Sequence, residues 1–269
     1  MQTLMAVHAH PDDEVLGTGG VLAKAAAAGI RTVLVTCTNG EQGDGPGGVK
    51  PGEEGHDPHA VRETRLAELA ESAKILGIEH VELLGHQDSG MDGWDANHAE
   101  HSFANVDFDS AVAQVEKLME HYRPQVVVTY DDNGGYGHPD HIQAHRVAVA
   151  ATERTGIPQK LYYTAIPKSG IREMFEYVKA NEIEVDWMAD ATEPPDFGTP
   201  DEIITTVTDV SEHVTQKINA LRAHASQGEN IFFLRLPDEA VSMMMGKEAF
   251  VRVRGEGPEN EDDLFAGLA

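Results

Sequence analysis

Leu4-Met5-Ala6-Val7-His8-Ala9-His10-Pro11-Asp12-Asp13-Glu14 decides how the rest of the chain is read. Leu4 to Val7 is an unbroken apolar run with the character of a buried strand. Val15 to Ala28, which follows the motif, is dominated by Leu, Val and Ala and stops at Gly29, the pattern of a helix closed by a glycine cap. A strand end, a proline and a helix start place the intervening side chains at one edge of a sheet, where open α/β folds keep their active sites. His10, Asp12, Asp13 and Glu14 therefore crowd one turn. Imidazole and carboxylate together suit a borderline divalent ion such as zinc, and a second carboxylate beside them can act on a water that the ion acidifies. Such a site needs a further ligand from elsewhere. Gly137-His138-Pro139-Asp140-His141 supplies one, again after an apolar strand-like run, Val126 to Tyr130. Asp before a helix is a routine N-cap, but two such motifs in matching strand-to-helix contexts make a coherent metal site.

Working outward, Ile30 to Thr38 is rich in β-branched residues and reads as the second strand. Gly17, Gly19 and Gly20 do not complete G-x-G-x-x-G, because the last position is Leu22, so they are assigned to close packing of helix on sheet. Asn39 to Asp57 is glycine, proline and acid, a long loop at the same edge and a candidate lid. His59 to Leu76 is helical in period and stops at Gly77; Arg65 and Glu68 share one face of it. Val81 to Leu84 is a short strand, and Trp94 to Asn105 a polar loop whose His98 and His101 lack the partners of a second metal site. A helix over Phe108 to His121 precedes the second motif, and the glycine-rich turn Asp131 to Gly137 brings Tyr136 and His138 towards the metal. A helix over Ile142 to Thr155 and a strand over Lys160 to Ile166 follow. Between Gly170 and Asp201 a short helix and the passage Glu193-Pro194-Pro195 form an expected cap over the site. Ile203 to Val210 reads as a strand, Ser211 as the cap of a helix through His224, and Gly255 to Asp263 as a mobile acidic tail. The fold expected is α/β: a Rossmann-like, mostly parallel sheet flanked by helices, one domain over 1–269 with its core in 1–166 and a C-terminal cap region in 167–269.

With 269 residues the chain can bury a sizeable core. Its 46 acidic against 20 basic residues, a net charge of −26, argue against nucleic acid or an anionic membrane as partner, since both attract basic surfaces. The one cysteine, Cys37, ends an apolar run and reads as a buried strand thiol. No charged stretch followed by an apolar core opens the chain, and cytoplasmic residence is the default expectation. The partner expected is a small-molecule substrate, with a homo-oligomer left open.

Ala-His-Pro-Asp-Asp-Glu at 9–14 together with His-Pro-Asp-His at 138–141 resembles the zinc-dependent N-acetylglucosaminyl deacetylases of the PIG-L/LmbE superfamily. Within it, Thr36-Cys37-Thr38-Asn39-Gly40-Glu41, Asp88-Ser89-Gly90-Met91 and Leu221-Arg222-Ala223-His224-Ala225-Ser226-Gln227 are most similar to the actinobacterial enzymes of mycothiol metabolism. The resemblance implies an amidohydrolase that removes an acyl group from an N-acylated amino sugar, or a mycothiol S-conjugate amidase. Other readings are a phosphoester hydrolase and a catalytically silent sugar- or nucleotide-binding module. It also implies His10, Asp13 and His141 as ligands of zinc, with iron(II) as the rival ion. Asp12 is then the general base, His138 and Tyr136 stabilise the oxyanion, and Asp140 holds the His138 tautomer. Arg65, with Arg62 as rival, is expected to reach the sugar, Asp88 to meet its hydroxyls, and Glu41 and Met91 to contact substrate.

Overall fold

In the computed structural model, which describes residues 1–183, 191–228 and 232–268, strand and helix alternate through the first part of the chain. In order these are β1 (Thr3–His8), α1 (Asp13–Ala27), β2 (Arg31–Thr38), α2 (Pro58–Leu76), β3 (His80–His86), α3 (Phe108–Tyr122), β4 (Val126–Thr129), the single turn α4 (Gly134–Gly137), α5 (Pro139–Thr155) and β5 (Lys160–Ala165). Then come α6 (Lys168–Ala180), β6 (Thr206–Asp209), α7 (Val214–Ala223), α8 (Asp238–Met245) and β7 (Lys247–Arg254). The seven strands make one sheet in the order β3-β2-β1-β4-β5-β7-β6. β1 to β5 run parallel, and β7 lies antiparallel between β5 and β6. The chain builds outward from β1 to β3, then returns to lay β4 on the other side of β1. Sheet order reverses between β1 and β4, the crevice where doubly wound folds bind ligands, and both motifs leave the sheet there.

The central strands β1 and β4 are buried along their whole length, which is why they read as continuous apolar runs. The edge strand β3 instead alternates between half-buried and exposed residues. α1 is apolar nearly all round because it is sandwiched. One side, with Val21, Leu22 and Ala25, packs on the sheet, while Val15 and Ala23 meet Val214, Ile218 and Leu221 of α7. Gly20 is required at the closest approach, since a Cβ there would stand 2.5 Å from Val210 Cγ2. Cys37 is a fully buried strand thiol, and burial pushes its pKa up. No described helix is long and apolar enough to cross a membrane.

In the C-terminal third, β6 and β7 extend the same sheet, and α7 packs on α1 and α2. Strand β7 and helix α8 had no sequence-based expectation. One expectation is corrected: the acidic tail is packed, not mobile. Glu261 takes a hydrogen bond from Lys160 Nζ at 2.5 Å, from Tyr162 Oη at 2.7 Å and from Thr206 Oγ1 at 3.0 Å, and Leu264 is buried. The tail backbone also pairs with the otherwise open edge of β6, where Val207 N donates to Glu261 O. The physical reason is Lys160, whose side chain is fully buried and so requires an anion beside it. In the segment expected to cap the site, Phe175 and Val178 of α6 pack with Met174, Ile183 and Ala191; part of that segment, 184–190, lies outside the described residues.

Candidate active site

Three side-chain atoms converge at the β1/β4 crevice. His10 Nδ1 lies 3.3 Å from Asp13 Oδ2, His141 Nε2 lies 3.3 Å from the same oxygen, and the two nitrogens are 3.2 Å apart. A divalent ion with bonds of about 2.0–2.2 Å to N and O donors spaces tetrahedral ligands by about 3.3–3.6 Å, so this triangle has the size of one face of such a site. Tautomers agree. His10 presents Nε2 to the Asp140 carboxylate at 3.1 Å, and His141 presents Nδ1 to the carbonyl of Gly134 at 3.1 Å. Both contacts are with acceptors, which places a proton on His10 Nε2 and on His141 Nδ1 and leaves the facing nitrogens to ligate an ion when one is bound. Without one, burial lowers the His10 pKa, but Asp88, Asp13 and Asp140 outweigh it and hold the ring well above the ordinary histidine value. Gly134 is needed at this approach, with φ +64° and no room for a Cβ beside His141. Asp13 Oδ2 is fixed by the backbone N–H of His10 and by Tyr130 Oη, each at 2.8 Å. Burial raises the Asp13 pKa, but His141 and His10 outweigh it and hold the group well below the usual carboxylate range. Wider sets, His10–His138–His141 and His10–Asp88–His138–Asp140, also keep donor atoms within 4.8 Å of one another; the tighter triangle has the ligand spacing. Among the described residues no metal-ligating group includes His98 or His101.

Asp140 meets His138 through its backbone N–H and not through its carboxylate. Its carboxylate pairs with His10 and with Ser89, through the Ser89 N–H at 2.8 Å and the Ser89 hydroxyl. The first turn of α5 separates the two groups: His138 is the N-cap, whose Nδ1 accepts the backbone N–H of Asp140 at 3.1 Å. That leaves Nε2–H as the free donor of a neutral ring. Burial and then the neighbouring His10 and His141 depress the His138 pKa to about 3. Tyr136 is 61% exposed, its ring centre 5.0 Å from that of His141, at the open mouth of the site.

Asp12 stands at the N-cap of α1 but makes no capping bond with its side chain, so helix capping does not explain it. Its backbone has φ 104° and ψ −29°, a region that costs a non-glycine residue about 1–3 kcal/mol. With a side chain 27% exposed, against 15% for Asp13, 4% for Asp88 and 0% for Asp140, it is the most open carboxylate of the cluster. Burial raises its pKa, opposed by Arg65. Arg65 does not reach out to a ligand. It is 5% exposed, with Nη2 on Asp12 Oδ2 at 3.0 Å and on Pro11 O at 2.6 Å, and Nη1 on Gly40 O at 2.8 Å. Gly40 and Gly43 make room, since a Cβ at either would stand within 2.7 Å of the guanidinium. Arg62 points to solvent.

Asp88 is buried, bonded to the backbone N–H groups of Gly90 and Gln42, with Oδ1 3.5 Å from His10 Nε2. Glu41 accepts the backbone N–H of Asp88 at 3.2 Å and so braces that turn. Met91 is 38% exposed at the rim. Tyr130, Ser89 and His224 are the polar groups that sequence reasoning did not place. Tyr130 and Ser89 carried a signal, as the polar end of an apolar run and a member of Asp-Ser-Gly-Met; His224 stands in the sequence only as the end of a helix and a member of the 221–227 stretch.

Residues 5–152 match the family described as GlcNAc-PI de-N-acetylase, PIG-L. Across 280 aligned residues the chain is 40% identical to a 1D-myo-inositol 2-acetamido-2-deoxy-alpha-D-glucopyranoside deacetylase of Acidothermus cellulolyticus, covering 100% of this chain and 96% of that one. The chain belongs to the PIG-L family. Solved structures share the fold of this PIG-L protein at low identity. N,N'-diacetylchitobiose deacetylase of Pyrococcus horikoshii matches with a TM-score of 0.58 at 18% identity, over 94% of this chain and 84% of that one. The 4-carboxy-2-hydroxymuconate hydratase of Pseudomonas putida matches with 0.61 at 18%, over 97% and 99%. A hydratase on the same fold means that the fold does not choose the reaction; the site must.

Proposed function

We propose that this PIG-L protein is a metal-dependent amidohydrolase that removes the acetyl group from an N-acetylglucosaminyl conjugate with a polyol aglycone such as inositol. The observation that carries the reading is the His10–Asp13–His141 triangle with the open Asp12 carboxylate adjoining it in the same turn. The named relative acts on an inositol glycoside of that kind, which favours deacetylation over cleavage of a mycothiol S-conjugate. An open groove of about 450 Å³ borders Gly137 and Pro139, on either side of His138, and offers Asp92, Asn133, Gln143 and Arg146 as hydrogen-bonding groups for a second ring.

His10, Asp13 and His141 would hold the ion, zinc by preference and iron(II) by the same donor set. When bound, the ion supplies Lewis acidity to a water and to the amide carbonyl. Asp12 removes the proton from the attacking water, aided by a pKa that burial keeps high and by an orientation that Arg65 fixes. The tetrahedral oxyanion receives a hydrogen bond from neutral His138 Nε2–H, with Tyr136 as a second donor from the mouth of the site. The amine leaves with a proton returned by Asp12, because His138, held neutral, is a donor of hydrogen bonds and a poor source of protons.

The test measures free amine and acetate from N-acetylglucosaminyl-inositol, N,N'-diacetylchitobiose and free N-acetylglucosamine, free amine from a cysteinyl-amide mycothiol conjugate, and inorganic phosphate from a phosphate monoester. Fastest turnover of the inositol conjugate is expected. Faster turnover of the cysteinyl amide would reassign the protein as an amidase, turnover of the phosphate ester would replace the reaction class, and tight binding without turnover would make it a binding module.

A further inference from the structure

Glu14 closes the first motif, yet neither ligation nor proton transfer uses it. Its side chain is fully buried. Oε2 accepts the backbone N–H of Asp12 at 2.9 Å, and Oε1 accepts the hydroxyl of Ser72 and, at 2.8 Å, a hydrogen from His224 Nε2. An ionised carboxylate only accepts, so that nitrogen of His224 is the donor. The peptide held by this carboxylate belongs to Asp12, whose φ of 104° is one that only a well-braced residue keeps. His224 is itself fully buried and follows the last residue of α7. The residues after it fasten the same neighbourhood. Ser226 donates its N–H and its hydroxyl to Glu68 of α2, each at 2.7 Å. Gln227 accepts the Asp44 N–H at 3.1 Å and donates to Asp44 O at 3.2 Å, pinning the start of the 39–57 loop. One turn, 224–227, thus ties α7 to the first motif, to α2 and to the loop.

We propose that His224 is a positioning residue for the hydrolysis: acting through Glu14, it holds the Asp12 peptide at positive φ and so aims the carboxylate of the base. The inference rests on Asp12 being that base. Arg65 grips the Asp12 carboxylate from one side and Glu14 grips its peptide from the other, and the two together leave the side chain one direction. Without the His224 donor, Glu14 is held by Ser72 and the Asp12 N–H alone. The motif turn then relaxes towards negative φ, which swings the carboxylate while leaving His10, Asp13 and His141 in place.

The test compares His224→Ala and His224→Gln with the wild type, measuring kcat, KM, bound metal and the Asp12 φ in crystals. The Gln amide can still donate to Glu14. His224→Ala is expected to bind metal stoichiometrically, keep KM within about twofold and lose kcat by about 10- to 100-fold, since small misplacement of a reacting group costs that much. Its Asp12 φ should leave the positive region, and His224→Gln should restore both kcat and φ. A role in stability alone predicts a folded, metal-loaded Ala variant with wild-type kcat and unchanged φ, or equal losses in Ala and Gln; either result overturns the proposal. Should His224→Ala fail to fold, Ser72→Ala removes the other donor on the same oxygen and should lower kcat with KM unchanged, an unchanged kcat counting against the proposal. If the wild type turns over no acylated amine, the functional reading fails, and the φ comparison still decides whether His224 positions Asp12.

Discussion

Asp140 lies two residues from His138 in sequence, yet its carboxylate turns to His10 Nε2 and Ser89. It therefore acts on the metal centre by fixing the ring that ligates. Asp140→Asn should weaken metal affinity by about 10- to 100-fold, the usual cost of losing such a partner, measured by competition with a chelator; unchanged affinity would show that His10 needs no anionic support. His138 is the complementary case. A neutral ring with Nε2–H predicts that His138→Gln, which keeps an N–H donor, retains far more turnover than His138→Ala, for which a loss of about 10²–10³ is expected. Because its pKa is pushed down to about 3, the pH–rate profile should carry no limb near the ordinary histidine value that disappears in the Gln variant. The ligand types were legible in the sequence because the two motifs name them. The direction each second-row side chain takes was not, since it depends on the half-turn between an N-cap and the residue two places on.

Helix α1 shows what a pattern conveys and where it stops. Its apolar run and terminal glycine were sufficient to place a helix; of the three glycines assigned to packing on the sheet, Gly17 faces Thr164 of β5, whereas Gly19 faces Lys217 of α7 and Gly20 faces Val210 just beyond β6. Why the helix is apolar on nearly every side became clear only from α7, which covers the face away from the sheet. Gly20→Ala forces a Cβ to within 2.5 Å of Val210. Overpacking of that kind costs about 1–3 kcal/mol, and α1 also carries Asp13 and Glu14, so stability and turnover should fall together. Urea unfolding and steady-state kinetics on the same preparation check this; a loss of stability with intact turnover would mean that the helix shifts without disturbing its first turn. The turn at 224–227 escaped the sequence reading because its partners are remote: His224 and Glu14 are 210 residues apart.

At the scale of the molecule, alternation of apolar runs and helical periods conveyed the parallel half of the sheet, which is assembled from neighbours in the chain. The antiparallel end was hidden. β7 reads Lys-Glu-Ala-Phe-Val-Arg-Val-Arg, with charges that look solvated until β6 on one side and β5 on the other enclose it. The acidic tail was equally misleading, because Glu261 answers a lysine 101 residues earlier. Burial alone would raise the Glu261 carboxyl, but Lys160, Tyr162 and Thr206 hold it below its ordinary value. A carboxyl depressed in the folded state stabilises the protein above its unfolded pKa, and the contribution fades as pH falls through the folded one. Glu261→Gln should therefore cost about 3–5 kcal/mol at pH 7, as for a buried pair broken on one side. The gap from the wild type should close as the pH drops below the ordinary glutamate range. A gap independent of pH would assign the loss to packing.

The central claim, one ion held by His10, Asp13 and His141 with Asp12 as the base beside it, is tested most directly by measuring bound metal and acetate release together. The comparison is of wild type, Asp12→Asn and His141→Ala, each stripped and then given one equivalent of zinc or iron(II). The account predicts that metal restores the wild type and that Asp12→Asn binds the ion but turns over about 10²–10⁴-fold more slowly. His141→Ala should lose affinity and turnover together. Near-normal turnover by metal-loaded Asp12→Asn, or full metal affinity in His141→Ala, would contradict it.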